Sequence, residues 1–363
     1  MRIAVVGGGP AGLAFAAFAR RTARAHQVTV WERRHGEDTY GFGVVLPPAA
    51  LDTLEQGDPC LADGLRPHLA DLSRVTVHRH GRSHTLRGPA LGAVDRRTLL
   101  GLLRGRCADL GVRLRYGELA PPAASLTTGY DLVVAADGAR SAVRGELAAH
   151  FGTGVDRLAP HYTWLGAQRA FDGLTFLVAD CPHGLVTAHA YPYAPGRSTF
   201  LVEAAHRPDT AEVERLFRRE LEGTRLLENR SRWQRFPLVR NDRWSHGNVV
   251  LLGDAAHTAH YSVGSGTRLA LDDALALITA VRDAPSVPAA LKAYEVARRP
   301  VVEHTQWMGR ASAAWFAGLG DAPDTSPERF VTDLLTRGGR ISLADLAADG
   351  AGRVPAGTVG NRS

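Results

Sequence analysis

The stretch RIAVVGGGPAGLAFAAFARRTARAHQVTVWER, residues 2 to 33, sets the architecture of this 363-residue chain. It begins with a short apolar run, passes through three consecutive glycines into a segment with helical apolar spacing, and ends in a second apolar run. This order predicts a strand, a helix and a second strand, which is the βαβ unit from which parallel sheets are built.

The glycines of this unit have the spacing of a dinucleotide-binding turn. Gly7 allows a tight turn, Gly9 lets the backbone approach a pyrophosphate, and Gly12 lets the helix pack on the sheet. Glu32 ends the second strand twenty residues after Gly12, where an acid can accept hydrogen bonds from a ribose diol. A purely structural glycine turn is the alternative, but it does not account for Glu32. The predicted cofactor contacts in this unit are Gly7, Gly9, Pro10, Ala11, Gly12, Glu32 and Arg33.

Two later segments each place an aspartate just beyond a predicted buried strand. They are ADGARSAVR, residues 136 to 144, with Asp137, and LLGDAAH, residues 251 to 257, with Gly253 and Asp254. Asp137, Gly253 and Asp254 are predicted cofactor contacts. Together with GGGPAG, these segments resemble the three fingerprints of the single-component FAD-dependent aromatic hydroxylases, the p-hydroxybenzoate hydroxylase class.

This resemblance covers residues 1 to about 320 and implies both cofactor contacts and a reaction. In that family the aspartate matched by Asp254 binds the ribityl chain of FAD, and an arginine matched by Arg96 contacts the cofactor. NADH or NADPH then binds transiently and reduces the bound FAD, O2 is the co-substrate, and a flavin C4a-hydroperoxide hydroxylates an electron-rich aromatic ring.

Three further segments narrow the resemblance to one branch of the family. TYGFGVVLPPAALDTL at residues 39 to 54, HAYPY at 189 to 193 and HTAHYSVGSGTRLALDDA at 257 to 274 are similar to the hydroxylases of aryl-CoA thioesters. That branch includes salicylyl-CoA 5-hydroxylase and the N-terminal half of anthraniloyl-CoA monooxygenase, and the violacein-pathway indole hydroxylases share part of the signature. The usual proline after GDAAH is absent, and Arg268 stands where lysine or asparagine is common. The branch implies a small aromatic substrate carried on CoA or a carrier protein.

Three side chains of the segment that follows Asp254, namely His257, His260 and Tyr261, are predicted to lie between the flavin and the substrate pocket. Gly264 and Gly266 let the chain pass close to the isoalloxazine. The helix that starts near Thr267 directs its positive end at the N1–C2=O edge of the flavin, where negative charge develops on reduction.

The predicted catalytic residues are His257, His260 and Tyr261. His260 or Tyr261 would accept or relay a phenolic proton, whereas the alternative for His257 is a structural role in the turn. His189 and Tyr191 alternate on a predicted strand, so together with Tyr261 they are expected to bind the substrate. Ordinary sheet packing is the alternative for both.

The order of predicted strands and helices indicates an α/β protein with two domains. Buried strands followed by helices predict a Rossmann-like FAD-binding domain, and an antiparallel block between them predicts an inserted β-sheet substrate domain, followed by C-terminal helices. The expected FAD-binding domain comprises residues 1–75, 94–155 and 240–285. The expected substrate domain comprises residues 76–93 and 156–239, with a C-terminal helix over 286–320 and a polar tail over 321–363.

Composition argues against several other functions. The formal net charge is +6, yet no dense basic run is interleaved with aromatic residues, so we expect no nucleic-acid partner. No stretch reaches the ~18 consecutive apolar residues of a membrane span. The three cysteines form no C-x-x-C pair, which suits a reducing cytoplasm, and we predict no metal site because the histidines lack ligand spacing.

Several functions are compatible with this sequence. A flavin halogenase is disfavoured because Lys292, the single lysine, lies in a distant predicted helix, and a disulfide reductase is disfavoured because paired cysteines are absent. The leading hypothesis is a hydroxylase of an aryl thioester. The alternatives are a hydroxylase of a free phenolic or indole-type intermediate, a flavin oxidase or reductase of the same fold, and a non-catalytic flavin-binding protein.

Overall fold

A computed structural model of the chain describes residues 1–35, 41–319, 327–337 and 339. In chain order the strands are β1 Arg2–Val6, β2 Gln27–Glu32, β3 Gly43–Leu46, β4 Ala70–Asp71, β5 Arg74–Arg79, β6 Arg82–Arg87, β7 Gly92–Asp95, β8 Arg113–Tyr116, β9 Leu132–Ala135, β10 Thr153–Ala167, β11 Leu174–Cys181, β12 Gly184–Ala194, β13 Arg197–Ala204, β14 Leu226–Glu228, β15 Gln234–Asn241, β16 Ser245–His246 and β17 Val249–Leu251. The α-helices are α1 Pro10–Thr22, α2 Pro48–Gly57, α3 Pro59–Leu65, α4 Arg96–Asp109, α5 Ala123–Gly129, α6 Ala142–Glu146, α7 Ala148–Phe151, α8 Thr210–Leu216, α9 Gly266–Asp283, α10 Val287–Ala317 and α11 Pro327–Thr336. Short 3-10 turns lie at Arg66–His68, Gly253–Ala255 and Tyr261–Val263. None of these helices is long and apolar enough to cross a membrane.

A six-stranded sheet forms the first layer of the fold, in the order β16-β17-β9-β1-β2-β8. Its pairs are parallel except for β16 with β17, and Val5 of β1 lies opposite Val30 of β2 and Val134 of β9. Consecutive residues of β1 are buried, because a parallel sheet is covered by helices on both faces. Helix α1 packs against α9 and α4. The predicted Rossmann-like architecture is confirmed.

A second sheet has the order β14-β10-β13-β12-β11-β5-β6, and β15 also pairs with β10. Its pairs are antiparallel except for β5 with β11. One face packs against the α8 region around Phe200, Val202 and Phe217. Because side chains alternate along a strand, Leu201 and Glu203 project from the other face.

A three-stranded sheet in the order β3-β7-β4 contacts the second sheet. Gly43 of β3 donates its N–H to Thr199 Oγ1 at 2.9 Å, and its carbonyl oxygen accepts the Tyr191 hydroxyl at 3.0 Å. A Cβ at Gly43 would lie 2.5 Å from the Cβ of Tyr193, so a larger residue would push the strands apart. These contacts therefore fix the distance between β3 and the second sheet.

Two expected domain limits fall inside continuous strands. The expected insert begins at residue 156, but β10 pairs with β15 from Thr153 onward. The insert was expected to end at residue 239, but the same pairing extends to Asn241. The backbone pairing of β10 with β15 therefore continues across both expected limits.

The C-terminal region differs from the expected polar tail over residues 321–363. Residues 327–336 form α11, whose apolar side chains, including Phe330 and Leu334, are buried in a cluster with Phe176 of the second sheet. The reason is physical: apolar residues recur here at helical spacing within a polar segment, and the sheet offers them an apolar surface. Most other residues of the expected tail lie outside the described part of the chain.

Candidate active site

The glycine turn between β1 and α1 leaves an open surface for a pyrophosphate. Gly7 has a φ of +111°, and a Cβ there would lie 2.3 Å from the carbonyl oxygen of Ala136, so the turn packs on the segment that follows β9. A Cβ at Gly9 would meet no described atom within 4 Å. Residues 10–12 form the first turn of α1, where unpaired N–H groups and the helix dipole favour an anion.

Glu32 stands at the carboxyl end of β2, beside the glycine turn. Its Oε2 accepts the N–H of Gly8 and its Oε1 accepts the N–H of Arg34, both at 2.9 Å. Each carboxylate oxygen keeps a lone pair, so Glu32 can also accept hydrogen bonds from a ribose diol. Arg33 is exposed beside it.

Asp254 lies in the 3-10 turn that follows β17. Gly253 has a φ of +59°, and a Cβ there would lie 2.9 Å from the Cβ of Ala11, so this turn packs on the start of α1. Asp254 is accessible to solvent, yet burial raises the pKa of its carboxyl while His257 and Arg96 lower it. A carboxyl that reaches solvent although protein surrounds it lies in a cleft. This position fits the predicted contact with the ribityl hydroxyls.

Asp137 and Arg144 hold the second fingerprint in place. Oδ2 of Asp137 accepts the N–H groups of Ala142 and Val143 at 2.6 and 3.3 Å, and so caps the start of α6. Arg144, which the sequence analysis did not identify, donates to the carbonyl oxygen of Ala255 at 2.7 Å and links the second fingerprint to the third. The predicted cofactor contact of Asp137 stays a prediction, because Oδ2 serves the helix and Oδ1 is buried.

A buried ion-pair network fixes His257 behind the third fingerprint. His257 Nε2 lies 2.7 Å from Oδ2 of Asp273 on α9, and Arg298 Nε of α10 lies 2.7 Å from Oδ1. Burial alone would raise the pKa of Asp273, but His257 and Arg298 lower it below its usual value. The ring of His257 is committed to this pair, which favours the structural alternative over proton transfer.

Helix α9 begins at Gly266, two residues after a 3-10 turn that ends in a left-handed glycine. That glycine, Gly264, has a φ of +58°, and a Cβ there would lie 3.5 Å from Val45 of β3. Gly266 and Thr267 therefore open an 18-residue helix close to β3. The N-terminal end of such a helix carries partial positive charge.

These elements fit an FAD molecule. The open glycine turn suits the pyrophosphate, Glu32 suits the adenosine ribose, and the enclosed carboxyl of Asp254 suits the ribityl chain. The first turn of α9 suits the flavin, where negative charge develops on reduction. The three fingerprints follow β1, β9 and β17 at their carboxyl ends, which is where doubly wound sheets bind nucleotides.

An aromatic cluster lies between the turn that carries Tyr261 and the free face of the second sheet. The ring centroid of Tyr261 lies 4.6 Å from that of Tyr162, 5.8 Å from Phe236 and 6.1 Å from Trp164. The ring of His189 lies 6.3 Å away. The cluster brings two of the predicted substrate residues together, and its ring faces can pack on an aromatic substrate.

His260 and Tyr191 are less available than the sequence predicts. His260 is 1% exposed, and its Nδ1 lies 2.8 Å from Ser262 Oγ. Burial and the nearby Arg337 lower the pKa of His260 to about 3, so the ring is neutral and a weak proton acceptor at neutral pH. Tyr191 donates its hydroxyl to Gly43 of β3, and burial raises its pKa to about 12.

Glu203 is the main functional candidate that the sequence analysis missed. It lies on β13 and is 1% exposed, with Oε1 at 3.7 Å from His189 Nε2. Burial raises the pKa of Glu203 to about 7, although Tyr261 lowers it. The available signal was a glutamate within the apolar strand STFLVEAA. The hydroxyl of Tyr261 thus faces a buried acid.

Comparison with known proteins identifies two domain families within the chain. The FAD binding domain family matches residues 125–307, and the NAD(P)-binding Rossmann-like domain family matches residues 5–36. The two matches together contain all three fingerprints.

Proteins of known activity match nearly the whole chain. The chain is 56% identical over 98% of its length to 3-hydroxy-4-methyl-anthranilyl-(aryl-carrier protein) 5-monooxygenase of Streptosporangium sibiricum, of which it covers 99%. It is 39% identical over 96% of its length to salicyloyl-CoA 5-hydroxylase of a Streptomyces species, of which it covers 72%. It is 31% identical over 93% of its length to protodeoxyviolaceinate monooxygenase of Chromobacterium violaceum, of which it covers 94%.

Solved structures share the fold at lower sequence identity. The tetrameric form of 2-methyl-3-hydroxypyridine-5-carboxylic acid oxygenase has a TM-score of 0.77 at 21% identity and covers 96% of this chain and 97% of its own. A tetracycline destructase has a TM-score of 0.70 at 21% identity and covers 93% and 96%. At these identities the likeness shows the fold alone.

Proposed function

We propose a substrate class for this chain, which belongs to the FAD-dependent aromatic hydroxylases. The predicted family, fold class and cofactors are confirmed: the protein is a monooxygenase that binds FAD and uses NAD(P)H and O2. FAD, when bound, supplies the oxygen-transfer chemistry. The chain's own residues select, orient and shield the aromatic ring.

The proposed substrate is an aromatic ring that bears a hydroxyl or amino group and is carried as a thioester on an aryl-carrier protein or CoA. The relative that is 56% identical over 98% of this chain carries the proposal, because its substrate is held by an aryl-carrier protein. The relative at 39% identity acts on a CoA thioester. The net charge of +6 is compatible with an anionic carrier.

We place hydroxylation para to the activating group. Both of these relatives are named for position 5, which on an anthranilyl or salicyloyl ring is para to the amino or hydroxyl group next to the acyl carbon. Such a substituent donates electrons into the ring and makes its para carbon nucleophilic. An enzyme that orients this carbon and excludes water favours oxygen transfer there.

The described residues have separate roles in this reaction. The glycine turn, Glu32 and Asp254 bind the cofactor, and the first turn of α9 stabilises negative charge on the flavin. The aromatic cluster around Tyr261 binds the substrate ring and keeps water from it. His257 acts indirectly, because its pairing with Asp273 positions the turn that carries Asp254.

The test compares thioesters with the corresponding free acids. FAD-loaded protein is given NADH or NADPH with salicyloyl-CoA, or with a 3-hydroxy-4-methylanthraniloyl group loaded on an aryl-carrier protein, and the products are identified by mass spectrometry. We expect a thioester to stimulate NAD(P)H consumption and to gain one oxygen atom. Its kcat/KM should exceed that of the free acid at least about tenfold, which corresponds to ~1.4 kcal/mol of binding to the carrier. Equal turnover of the free acids would end the thioester proposal.

A free phenolic or indole-type intermediate is the second candidate substrate. The observation that favours it is the 31% identity with protodeoxyviolaceinate monooxygenase over 93% of this chain. The free-acid arm of the same experiment, extended to indole carboxylates, tests this alternative. Hydroxylation of these compounds with no gain from a thioester would support it.

We also propose that the reaction takes place in the cytoplasm. Cys60, Cys107 and Cys181 are free thiols, as is usual in a reducing compartment. Cell fractionation with immunodetection measures the location, and recovery mainly from a secreted or envelope fraction would contradict it.

A further inference from the structure

Several buried polar atoms lie around Tyr261. Within the described residues, Glu203 Oε1, His189 Nε2, Trp164 Nε1 and the Tyr261 hydroxyl are buried, and none of them makes a hydrogen bond of ordinary geometry. Glu203 and His189 are both more than nine-tenths buried. A buried polar group without a partner costs about 1–3 kcal/mol, so a set of them at one place indicates a site kept for function rather than for stability.

The second sheet brings these residues together. Glu203 on β13 lies opposite Tyr162 on β10 and Thr187 on β12, and His189 follows two residues along β12 on the same face. Glu203 Oε1 lies 3.7 Å from His189 Nε2, and Thr187 Oγ1 donates to Glu203 Oε2 at 3.4 Å. Tyr261 faces the acid closely enough for each group to shift the pKa of the other.

We propose that Glu203 is the terminal proton acceptor of the hydroxylation step and that it acts through Tyr261. This inference rests on the proposed function, since it names the residue that receives the proton of the substrate's ring hydroxyl or amino group. Tyr261 contacts the ring, and Glu203 lies behind it. Glu203 is therefore a positioning residue that draws the phenolic proton of Tyr261 inward.

The substrate proton has a complete path from the ring to solvent. The bond that breaks is the O–H bond of a hydroxyl, or one N–H bond of an amino group, that lies para to the reacting carbon. The released proton forms an O–H bond at Tyr261, and the original phenolic proton of Tyr261 moves to Glu203 Oε1. The electron pair left on the ring oxygen or nitrogen moves into the ring and makes the para carbon more nucleophilic. That carbon gains one oxygen atom of O2 and loses its hydrogen as a proton, while NAD(P)H supplies the electrons that reduce the other oxygen atom to water. Glu203 then releases its proton to solvent.

The groups that face Glu203 suit an acid that changes protonation near neutral pH. Burial raises the pKa of Glu203 to about 7, while Tyr261 and Arg337 lower it. His189 faces it from β12 but is neutral, because burial holds its pKa well below the usual value. Arg337, which follows α11, stays cationic although burial lowers its pKa to about 10. Tyr162 is the titratable neighbour on β10.

Three variants test this proposal in the FAD-loaded protein: Glu203→Gln, Glu203→Asp and Thr187→Val. The substrate is whichever probe, salicyloyl-CoA or carrier-bound 3-hydroxy-4-methylanthraniloyl, the unaltered protein turns over faster. The readouts are kcat for hydroxylation against pH and the hydrogen peroxide formed per NAD(P)H. FAD content and the thermal unfolding midpoint report on folding.

We expect kcat of the unaltered protein to rise with pH through a midpoint near 7, because only the deprotonated acid accepts a proton. Glu203→Gln should lose this pH dependence, slow hydroxylation about 10²- to 10⁴-fold and divert oxygen to peroxide. Glu203→Asp should restore part of the rate. Thr187→Val removes a donor to the carboxylate, so the midpoint should move to higher pH while hydroxylation continues.

Two results would overturn the assignment. Glu203→Gln with an unaltered pH profile and coupling, or Thr187→Val with an unmoved midpoint, means that Glu203 is structural. If Glu203→Gln fails to fold, Glu203→Asp and Thr187→Val decide the question alone. Failure of the unaltered protein to hydroxylate any thioester or free acid concerns the proposed function instead, so the two failures are distinguishable.

A second site, at the turn between β11 and β12, rests on an independent observation. Sγ of Cys181 lies 3.7 Å from Nε2 of His206, and the same Nε2 lies 3.8 Å from Oε1 of Glu212. One ligand atom from each residue lies within 4.8 Å of the others. Ligand atoms of a tetrahedral zinc ion are about 3.5 Å apart, given bonds of about 2.3 Å to sulfur and 2.0 Å to nitrogen.

We infer that Cys181, His206 and Glu212 bind a divalent transition-metal ion of the Zn²⁺ type, a site that the sequence analysis did not predict. The set combines a thiol, an imidazole and a carboxylate, each of which is a donor type that zinc uses in proteins, and leaves a fourth position for water. Cys181 donates its S–H to the carbonyl oxygen of Gly184 at 2.8 Å, so metal binding must release this proton. The ion would join the β11–β12 turn to α8, which contains Glu212.

Titration of tag-free, chelator-treated protein with Zn²⁺, followed by calorimetry and by elemental analysis after desalting, tests this site. We expect one ion per chain, with affinity at least about tenfold weaker in Cys181→Ser and His206→Ala. Cys60→Ser is the matched control, because Cys60 is an exposed free thiol, and it should bind like the unaltered protein. Binding that is absent, or unchanged in Cys181→Ser, overturns the inference.

Discussion

Asp254 combines solvent access with enclosure by protein, and this combination predicts a large effect of its removal. We expect Asp254→Ala to weaken FAD binding without unfolding the protein. A hydrogen bond to a charged group contributes about 1.5–3 kcal/mol, so Kd for FAD should rise roughly 10- to 100-fold. Flavin absorbance of the protein after gel filtration, together with fluorescence titration, measures the loss.

The control for this change is Asp283→Ala, at the exposed end of α9. Asp283 pairs with Arg282 on the surface, and its replacement should leave FAD binding as it is. An unaltered protein that is colourless and cannot be reconstituted with FAD would contradict the cofactor site as a whole.

Asp273 is the centre of the buried network, and its replacement should destabilise the fold. Asp273→Asn removes the closer of the two carboxylates that face the buried guanidinium of Arg298 and leaves only Asp272, whose Oδ2 lies 3.7 Å from Arg298 Nη2. Breaking a buried pair costs up to about 3–5 kcal/mol. Because the pKa of Asp273 is lowered in the folded state, its contribution is present at neutral pH and is lost as the pH falls through the lowered value. Urea unfolding of the FAD-free protein between pH 3 and pH 7 measures both effects.

The variant should therefore differ most from the unaltered protein at neutral pH and less in acid. Asp283→Asn serves as the control again and should leave the unfolding curve unchanged, because that carboxylate is exposed. Equal stability of the Asp273 and Asp283 variants at pH 7 would show that the network contributes nothing to folding.

The sequence reveals a functional residue when the residues that define its role are close to it in the chain. Gly7 and Asp254 could be found, because their neighbours in the chain form a recognisable strand and turn. Glu203 and Asp273 could not, because their roles come from partners on other elements: Tyr261 faces Glu203 from a separate turn, and Arg298 reaches Asp273 from the next helix. Only the fold shows that such acids are buried and paired.

Helix α11 should stabilise the protein through the apolar surface that it covers. Leu334 is 1% exposed, and Leu334→Ala should lower the free energy of unfolding by about 2–5 kcal/mol. Arg337, just beyond this helix, lies over the rings of Phe176 and Phe316, so a loosened α11 should also raise peroxide formation. Denaturant unfolding and a peroxide assay measure the two effects.

Leu119→Ala is the matched control, since Leu119 is 79% exposed and the same side-chain atoms are removed. It should change neither stability nor peroxide formation measurably. If Leu334→Ala behaves like the control, α11 does not belong to the cooperative unit of the fold.

Some helices and strands can be predicted from the sequence, and others cannot. Helix α1 and strand β12 follow from apolar spacing and alternation alone. Helix α11 does not, because its four buried apolar residues stand among polar neighbours, and their significance depends on the apolar face of the second sheet. The pairing of β10 with β15 likewise depends on contacts between distant segments, and it extends past the expected limits at residues 156 and 239.

In the proposed site FAD contacts three segments of the chain, so its binding should stabilise the whole protein. A ligand that binds only the folded state adds about 2.7 kcal/mol to the free energy of unfolding when its concentration is 100 times Kd. We expect this increase in urea unfolding monitored by tryptophan fluorescence. At the same FAD concentration Asp254→Ala should show a much smaller increase, whereas an equal increase in both proteins would contradict the placement of Asp254 in the site.

The three fingerprints also determine when the protein can acquire its cofactor. The glycine turn is synthesised within the first 35 residues, whereas Asp254 and the start of α9 follow about 240 residues later. A chain that is still on the ribosome and ends before α9 can form the pyrophosphate turn but has no place for the flavin. Loading is therefore a late event in biosynthesis, because the flavin end of the proposed site is complete only after Asp254 and the first turn of α9 have been synthesised.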